Sequence, residues 1–380
     1  MDTIKNITGT VAEGKNFFGR IKEIERAIEL LENGNSLILA APRRVGKTSF
    51  ARKIKDRMIE KGWNGFYIDL QKQPTEFNFM KSFLKEVKGE SWFEKYAPAH
   101  LKLNYGDVAL EFNKQKQDFY RKIDDALPYS DDTLIIFDEF IVFLDEVLRT
   151  KQGEENEFDN VMHFLNWLRG LRLTPNSKIR WIFCSSISIE SYLHKLNFTK
   201  KINDLTPFKL EELKDEEPQS LVKALANSKN INFSDEHIKY MLEKLGWNLP
   251  YYIQILFKEV VELVRDGQTL SKETIDEAYN NLLNMDTYFN TWAERLSYYD
   301  EERKFAKLIL NELSKLKAGK KVNYLYDLLY AELNNKEKAS EVLQSLLRQL
   351  ESDGYIMNNK EKYTFRSPLL RDYWYNQFGK

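Results

Sequence analysis

A chain of 380 residues exceeds what one hydrophobic core usually serves, so two or three domains are expected. Its 57 Lys and Arg nearly balance its 58 Asp and Glu, and the net charge of −1 argues against a uniformly polyanion-coating protein while leaving room for one basic domain. The composition, 42% hydrophobic and 13% aromatic, is that of a soluble globular protein, and the lone Cys184 excludes an intrachain disulfide framework or a cysteine zinc site.

The amino terminus, M-D-T-I-K-N-I-T-G-T, lacks a basic segment followed by an apolar one. No apolar run of about eighteen residues occurs either, so a cytoplasmic protein with no membrane partner is expected. Ile21, Ile24, Ile28 and Leu31 recur at helical spacing within 17–33, and Gly34 ends that helix. Apolar strand candidates follow at 36–40, 65–70, 133–137 and 179–184, separated by helical segments at 47–61, 77–88, 107–126 and 157–172. Short apolar strands alternating with helices predict an α/β domain whose parallel sheet is covered on both faces. From about Leu210 the strands stop, and 210–283 carries helical spacing broken by turn signals at 227–230 and 246–250. Residues 302–377 read as helices near 302–316, 322–333 and 338–352, a turn at Asp353–Gly354, two short strands at 355–357 and 362–366, and a last helix. That order predicts a winged helix-turn-helix.

The chemistry is concentrated after the first strand. Residues 41–49, A-P-R-R-V-G-K-T-S, match G-x-x-x-x-G-K-[ST] except that Ala41 stands for the first glycine. A loop between a strand and a helix N-terminus aims backbone N–H groups and the helix dipole at one point, which suits phosphate. Pro42, Arg43, Arg44, Val45, Gly46, Lys47, Thr48 and Ser49 are therefore the candidate nucleotide-binding residues. Lys47 would reach the β- and γ-phosphates, and Thr48, or Ser49 as the second hydroxyl, would ligand Mg²⁺. Ala41 fits only with negative φ. The second component is T-L-I-I-F-D-E-F at 133–140: Asp138 would hold the metal and Glu139 would polarise the attacking water. A guanine-reading N-K-x-D is lacking, since the nearest string, N-N-K-E-K at 334–338, has no Asp.

With F-F-G-R-x-x-E (17–23), W-I-F-C-S-S-I-S-I-E (181–190), L-T-P-F-K-L (205–210), G-W-N-L-P-Y-Y-I-Q (246–254) and Y-T-F-R-S-P-L-L-R-D-Y-W (363–374) added, the chain resembles archaeal-type ATPases of the STAND/AAA+ P-loop group over almost its whole length. The adjacent Asp-Glu pair resembles the additional-strand, catalytic-glutamate branch. The resemblance implies an N-terminal segment (1–16), a P-loop ATPase core (17–206), a helical lid (207–290) and a winged-helix domain (291–380), with ATP and Mg²⁺ as cofactors bound between core and lid. It also implies Gly19 and Arg20 near the adenine, Ser185 and Ser186 as sensors of the γ-phosphate, and Pro250 packing against the base. A turn capping the next helix is the competing reading of Gly19–Arg20, and a first helical position that of Pro250. Arg169, Arg172 and Arg180 lie where AAA+ proteins place a finger for a neighbouring subunit, which would accompany nucleotide-dependent homo-oligomers; surface ion pairing competes for each.

The function implied is an ATP-hydrolysing molecular switch that couples nucleotide state to DNA or a protein partner, in defence or regulation, with a DNA-binding loader or initiator as the alternative. Over 303–380 fifteen Lys and Arg face nine Asp and Glu, which suits phosphate contact by 315–321 and the wing at 358–363. The helix that would enter the groove opposes this, because Glu341, Glu351 and Asp353 accompany its Lys338 and Arg348. Tyr324, Tyr326, Tyr330, Tyr373, Trp374 and Tyr375 are expected to fill helix interfaces in preference to stacking on bases.

Overall fold

A computed structural model of the protein describes residues 4–97, 105–149 and 157–379. Residues 1–3 of the N-terminal segment, His100 and Lys380 lie outside them. The chain falls into two compact units, one formed by Ile21–Ala40 and Lys47–Leu210, the other by Met1–Arg20, Ala41–Gly46 and Glu211–Lys380.

The first unit is built on a five-stranded sheet of β1 (Leu37–Ala40), β2 (Asn64–Asp69), β3 (Thr133–Asp138), β4 (Ile179–Ser185) and β5 (Thr206–Lys209). The order is β2-β3-β4-β1-β5, and every neighbouring pair is parallel. β4 therefore separates β1 from β3, which is the additional-strand arrangement expected from Asp138–Glu139. β3 is buried along its whole length, as a central strand covered on both faces requires. Phe79, Phe83, Phe137, Trp181 and Phe183 form an edge-to-face and tilted aromatic core against it. β5 was not expected as a strand: Pro207 lies within it, a residue tolerated because β5 is at the edge of the sheet. The helix Phe140–Arg149 was also not anticipated, since F-I-V-F-L has no polar face to reveal a period.

Parallel strands deliver all their carboxyl ends to one edge. The ends of β1, β3 and β4 are followed there by the phosphate-loop candidate, by Glu139 and by Ser186. The α-helix α1 (Ile21–Glu32) precedes β1, and α2 (Lys47–Glu60) begins at Lys47.

In the second unit, four α-helices, Glu217–Lys229, Asp235–Leu245, Pro250–Arg265 and Lys272–Leu283, precede Asp286–Glu294 and then Arg303–Ser314, Val322–Leu333 and Lys336–Ser352. A three-stranded antiparallel sheet joins β6 (Lys320–Lys321), which immediately precedes Val322–Leu333, to β7 (Ile356–Asn359) and β8 (Lys362–Phe365), which follow Lys336–Ser352; the order is β6-β8-β7. Lys360 and Glu361, at φ 51° and 70°, make the two-residue turn between β7 and β8. The final helix, Pro368–Phe378, is tied to Lys272–Leu283 by the Tyr279 hydroxyl, which donates to Asp372 at 2.9 Å. Tyr373 and Trp374 are buried as expected, but Tyr324 and Tyr375 are each 41% exposed and do not fill interfaces.

Candidate functional site

α2 starts with Lys47 because Gly46 turns the chain: its φ of 97° is open to glycine and strained for other residues. Lys47 is buried, 6% exposed, at the head of the helix, and Thr48 follows it within the first turn, as does Ser49. The Thr48 hydroxyl donates to Asp138 Oδ2 at 2.7 Å, joining two motifs 90 residues apart. Asp138 is 3% exposed. Burial raises its pKa, the neighbouring Glu139 charge adds to that rise, and hydrogen bonds from Tyr67 and Thr48 and the Lys47 charge oppose it. Its Oδ1 accepts from the Glu139 N–H at 3.0 Å.

Glu139 sits at φ 55°, a left-handed conformation at the turn from β3 into the next helix, and such positions cluster where geometry is imposed for function. Its Oε2 accepts from the Ser186 N–H at 3.1 Å and from the Ser186 hydroxyl at 2.8 Å. Ser186 is thus aimed at the glutamate. Ser185, 1% exposed, accepts from the Ile187 N–H at 3.2 Å and serves as a turn residue. Lys47, Thr48, Asp138, Glu139 and Ser186 are therefore brought to one strand-end edge.

Sequence reasoning missed Tyr67. From β2 its hydroxyl donates to Asp138 Oδ2 at 2.6 Å, and the Arg52 guanidinium lies over its ring, 4.5 Å from the centroid. The only signal was position: Tyr67 lies two residues before the carboxyl end of the strand that pairs with β3.

The remaining candidates belong to the second unit. In the loop 41–46, positive φ occurs at Arg44 (68°) and Gly46 and not at Ala41, which satisfies the condition set by the missing glycine. The Arg44 guanidinium stacks 4.2 Å from the centroid of Tyr251, and Val45 is fully buried. Pro42 packs on the turn at Gly354, where an added Cβ would meet Pro42 at 2.6 Å. Arg43 is close enough to Tyr355 for its charge to lower that phenol's pKa against the dominant effect of burial.

Arg20 is 2% exposed and has partners other than those expected of an adenine contact: its guanidinium donates to the carbonyls of Val45 (2.9 Å) and Glu211 (2.7 Å). Its N–H donates to Glu217 at 2.6 Å, and Gly19 precedes it at φ 69°. Pro250 is the first residue of its helix. Beside it in sequence, Trp247 lies under Arg366, 5.1 Å from ring centroid to guanidinium.

The three finger candidates, back in the first unit, have intrachain partners. Arg172, with a side chain only 3% exposed, pairs with Asp204 at 2.7 Å and donates to the Lys201 carbonyl, so its ion pair is buried and not at the surface. Arg169 donates to Asn203, and Arg180 to the carbonyls of Ser177 and Ile179.

A hydroxyl beside a buried carboxylate is an all-oxygen donor set that fits a hard cation such as Mg²⁺, which usually takes one or two protein oxygens and completes its shell with water and phosphate. Among the described residues no group of three or more His, Cys, Asp or Glu could hold a metal without such help, and no helix is long and apolar enough to cross a membrane.

The fold and strand-end arrangement define a P-loop nucleoside-triphosphatase fold of the AAA+ kind. Neither a protein-family model nor a curated protein matches the chain. Among solved structures it is similar to a Walker-type ATPase of Pyrococcus abyssi, with TM-score 0.63 and 15% identity over 97% of this chain and 99% of that one. It is also similar to the ORC2 protein of Aeropyrum pernix, determined in ADPNP and ADP complexes, with TM-score 0.52 and 12% identity over 96% of both chains. At these identities the likeness is one of fold.

Proposed function

We propose that the protein is an ATP-binding, ATP-hydrolysing switch of the archaeal STAND/AAA+ type, organised as an N-terminal segment (1–16), a core (17–206), a lid (207–290) and a winged helix (291–380). The observation that carries the reading is the Thr48–Asp138 hydrogen bond, which joins the phosphate-loop motif to the acidic strand end. The adenine nucleotides bound to the Aeropyrum protein support ATP as the ligand.

In this reading the backbone of Pro42–Gly46 cradles phosphate, Lys47 compensates charge on the β- and γ-phosphates, and Thr48 and Asp138 hold Mg²⁺, with Ser49 the second hydroxyl. Mg²⁺, when bound, supplies neutralisation of phosphate charge. Glu139 Oε accepts a proton from the attacking water, and the two Ser186 donors fix where that carboxylate points. Gly19, Arg20 and Pro250 act on the nucleotide by shaping the loop and the lid, Arg20 through the Val45 carbonyl. Ser185 supports the turn that carries Ser186. The experiment is E139Q: ATP binding is retained while turnover falls by about a hundredfold or more. An unchanged turnover removes Glu139 from its role.

For the partner, the six-charge excess over 303–380 and the exposed Lys360 and Lys362 of the wing suit DNA, whereas Glu341 and Glu351 on the helix that would enter the groove, and Asp353 at its end, suit a protein partner. Duplex binding that weakens steeply with salt supports the first; an ATPase unaffected by duplex supports the second.

A further inference from the structure

The Asp138 carboxylate has four lone-pair sites, and three are engaged by donors of this chain. Oδ2 accepts from Thr48 Oγ1 at 2.7 Å and from Tyr67 OH at 2.6 Å, and Oδ1 accepts from the Glu139 N–H at 3.0 Å. Oδ2 is therefore saturated and Oδ1 keeps one site. The Thr48 hydroxyl spends its single proton on Asp138, which leaves its own oxygen free to act as a ligand. Remove the phenol hydroxyl, and both carboxylate oxygens become equivalent in donors, so the carboxylate loses the asymmetry that selects one face for a cation.

Tyr67 itself is held. Arg52, one helical turn beyond Thr48 on α2, covers its ring at 4.5 Å. The Tyr67 hydroxyl donates to Asp138 Oδ2 at 2.6 Å. Arg52, Tyr67, Asp138 and Thr48 thus form a closed run of contacts across α2, β2 and β3.

We infer that Tyr67 is a positioning residue that sets which oxygen of Asp138 is presented to the metal accompanying the nucleotide. The inference rests on the function proposed above. Groups that orient metal ligands typically change metal affinity ten- to hundredfold when removed. The test is titration calorimetry of ATP into wild type and Y67F, first in EDTA and then across a Mg²⁺ series. Expected is an EDTA affinity equal to wild type together with a Mg²⁺ requirement for half-maximal enhancement raised about tenfold.

A Mg²⁺ dependence identical to wild type overturns the inference, as does an equal loss with and without Mg²⁺, which is what a merely structural role produces. If wild type binds no ATP in either condition, the functional reading falls and this inference with it, so the two failures are separable. R52Q, which keeps the phenol and removes the cation over its ring, is the second variant: a shift in the same direction of about threefold is expected, and no shift in either variant overturns the proposal.

Discussion

Two regions bearing the candidate residues are organised by different physics. Around Asp138, polar side chains satisfy one another: Thr48, Tyr67 and the Glu139 N–H converge on one carboxylate, and Ser186 on another. Around the loop 41–46, the chain is held through its backbone and by packing: Arg20 binds the Val45 carbonyl, Arg44 stacks on Tyr251, and Pro42 abuts Gly354. The first arrangement fixes where donors and carboxylates point. The second fixes the path of a loop. Loss of a residue from the first should therefore alter chemistry at little cost in stability, and loss from the second should cost stability and reach the nucleotide only through the path of the loop.

R20A probes the second region and carries the larger expected effect. It removes the guanidinium donors to the Val45 and Glu211 carbonyls and a buried charge, costing about 3 kcal/mol. A urea midpoint that drops without a change in slope is the outcome expected, and an unmoved midpoint breaks the contrast. S186A probes the first region. One of two donors to Glu139 Oε2 is lost, so turnover should fall about tenfold while ATP affinity and the urea midpoint stay at wild-type values. An S186A protein that loses stability along with turnover would show that the two regions are not distinct in kind.

The same contrast explains what could be read from sequence. Lys47, Thr48 and Asp138–Glu139 could be singled out together because their types and spacing match a phosphate-loop pattern, and the structure joins Thr48 to Asp138; the alternation of apolar strands with helices carried the parallel sheet. Tyr67 was not legible: in G-F-Y-I-D-L an aromatic residue reads as strand packing, and its Asp138 partner comes from a strand 71 residues away. The partners of Arg20 were hidden for another reason: they are carbonyls, which leave no trace in side-chain patterns. β5 was hidden by Pro207 and by having only four residues. Arg172 looked like a surface cation because its Asp204 partner lies 32 positions on and only the fold buries the pair.

The central claim is that the head of α2 and the end of β3 together hold a triphosphate and its metal. Calorimetric titration of ATP with Mg²⁺ into wild type and K47A tests it most directly. The account predicts saturable binding by wild type and a weakening of about a hundredfold in K47A, as expected when a charged donor to phosphate is lost. Equal affinity in the two proteins would contradict it.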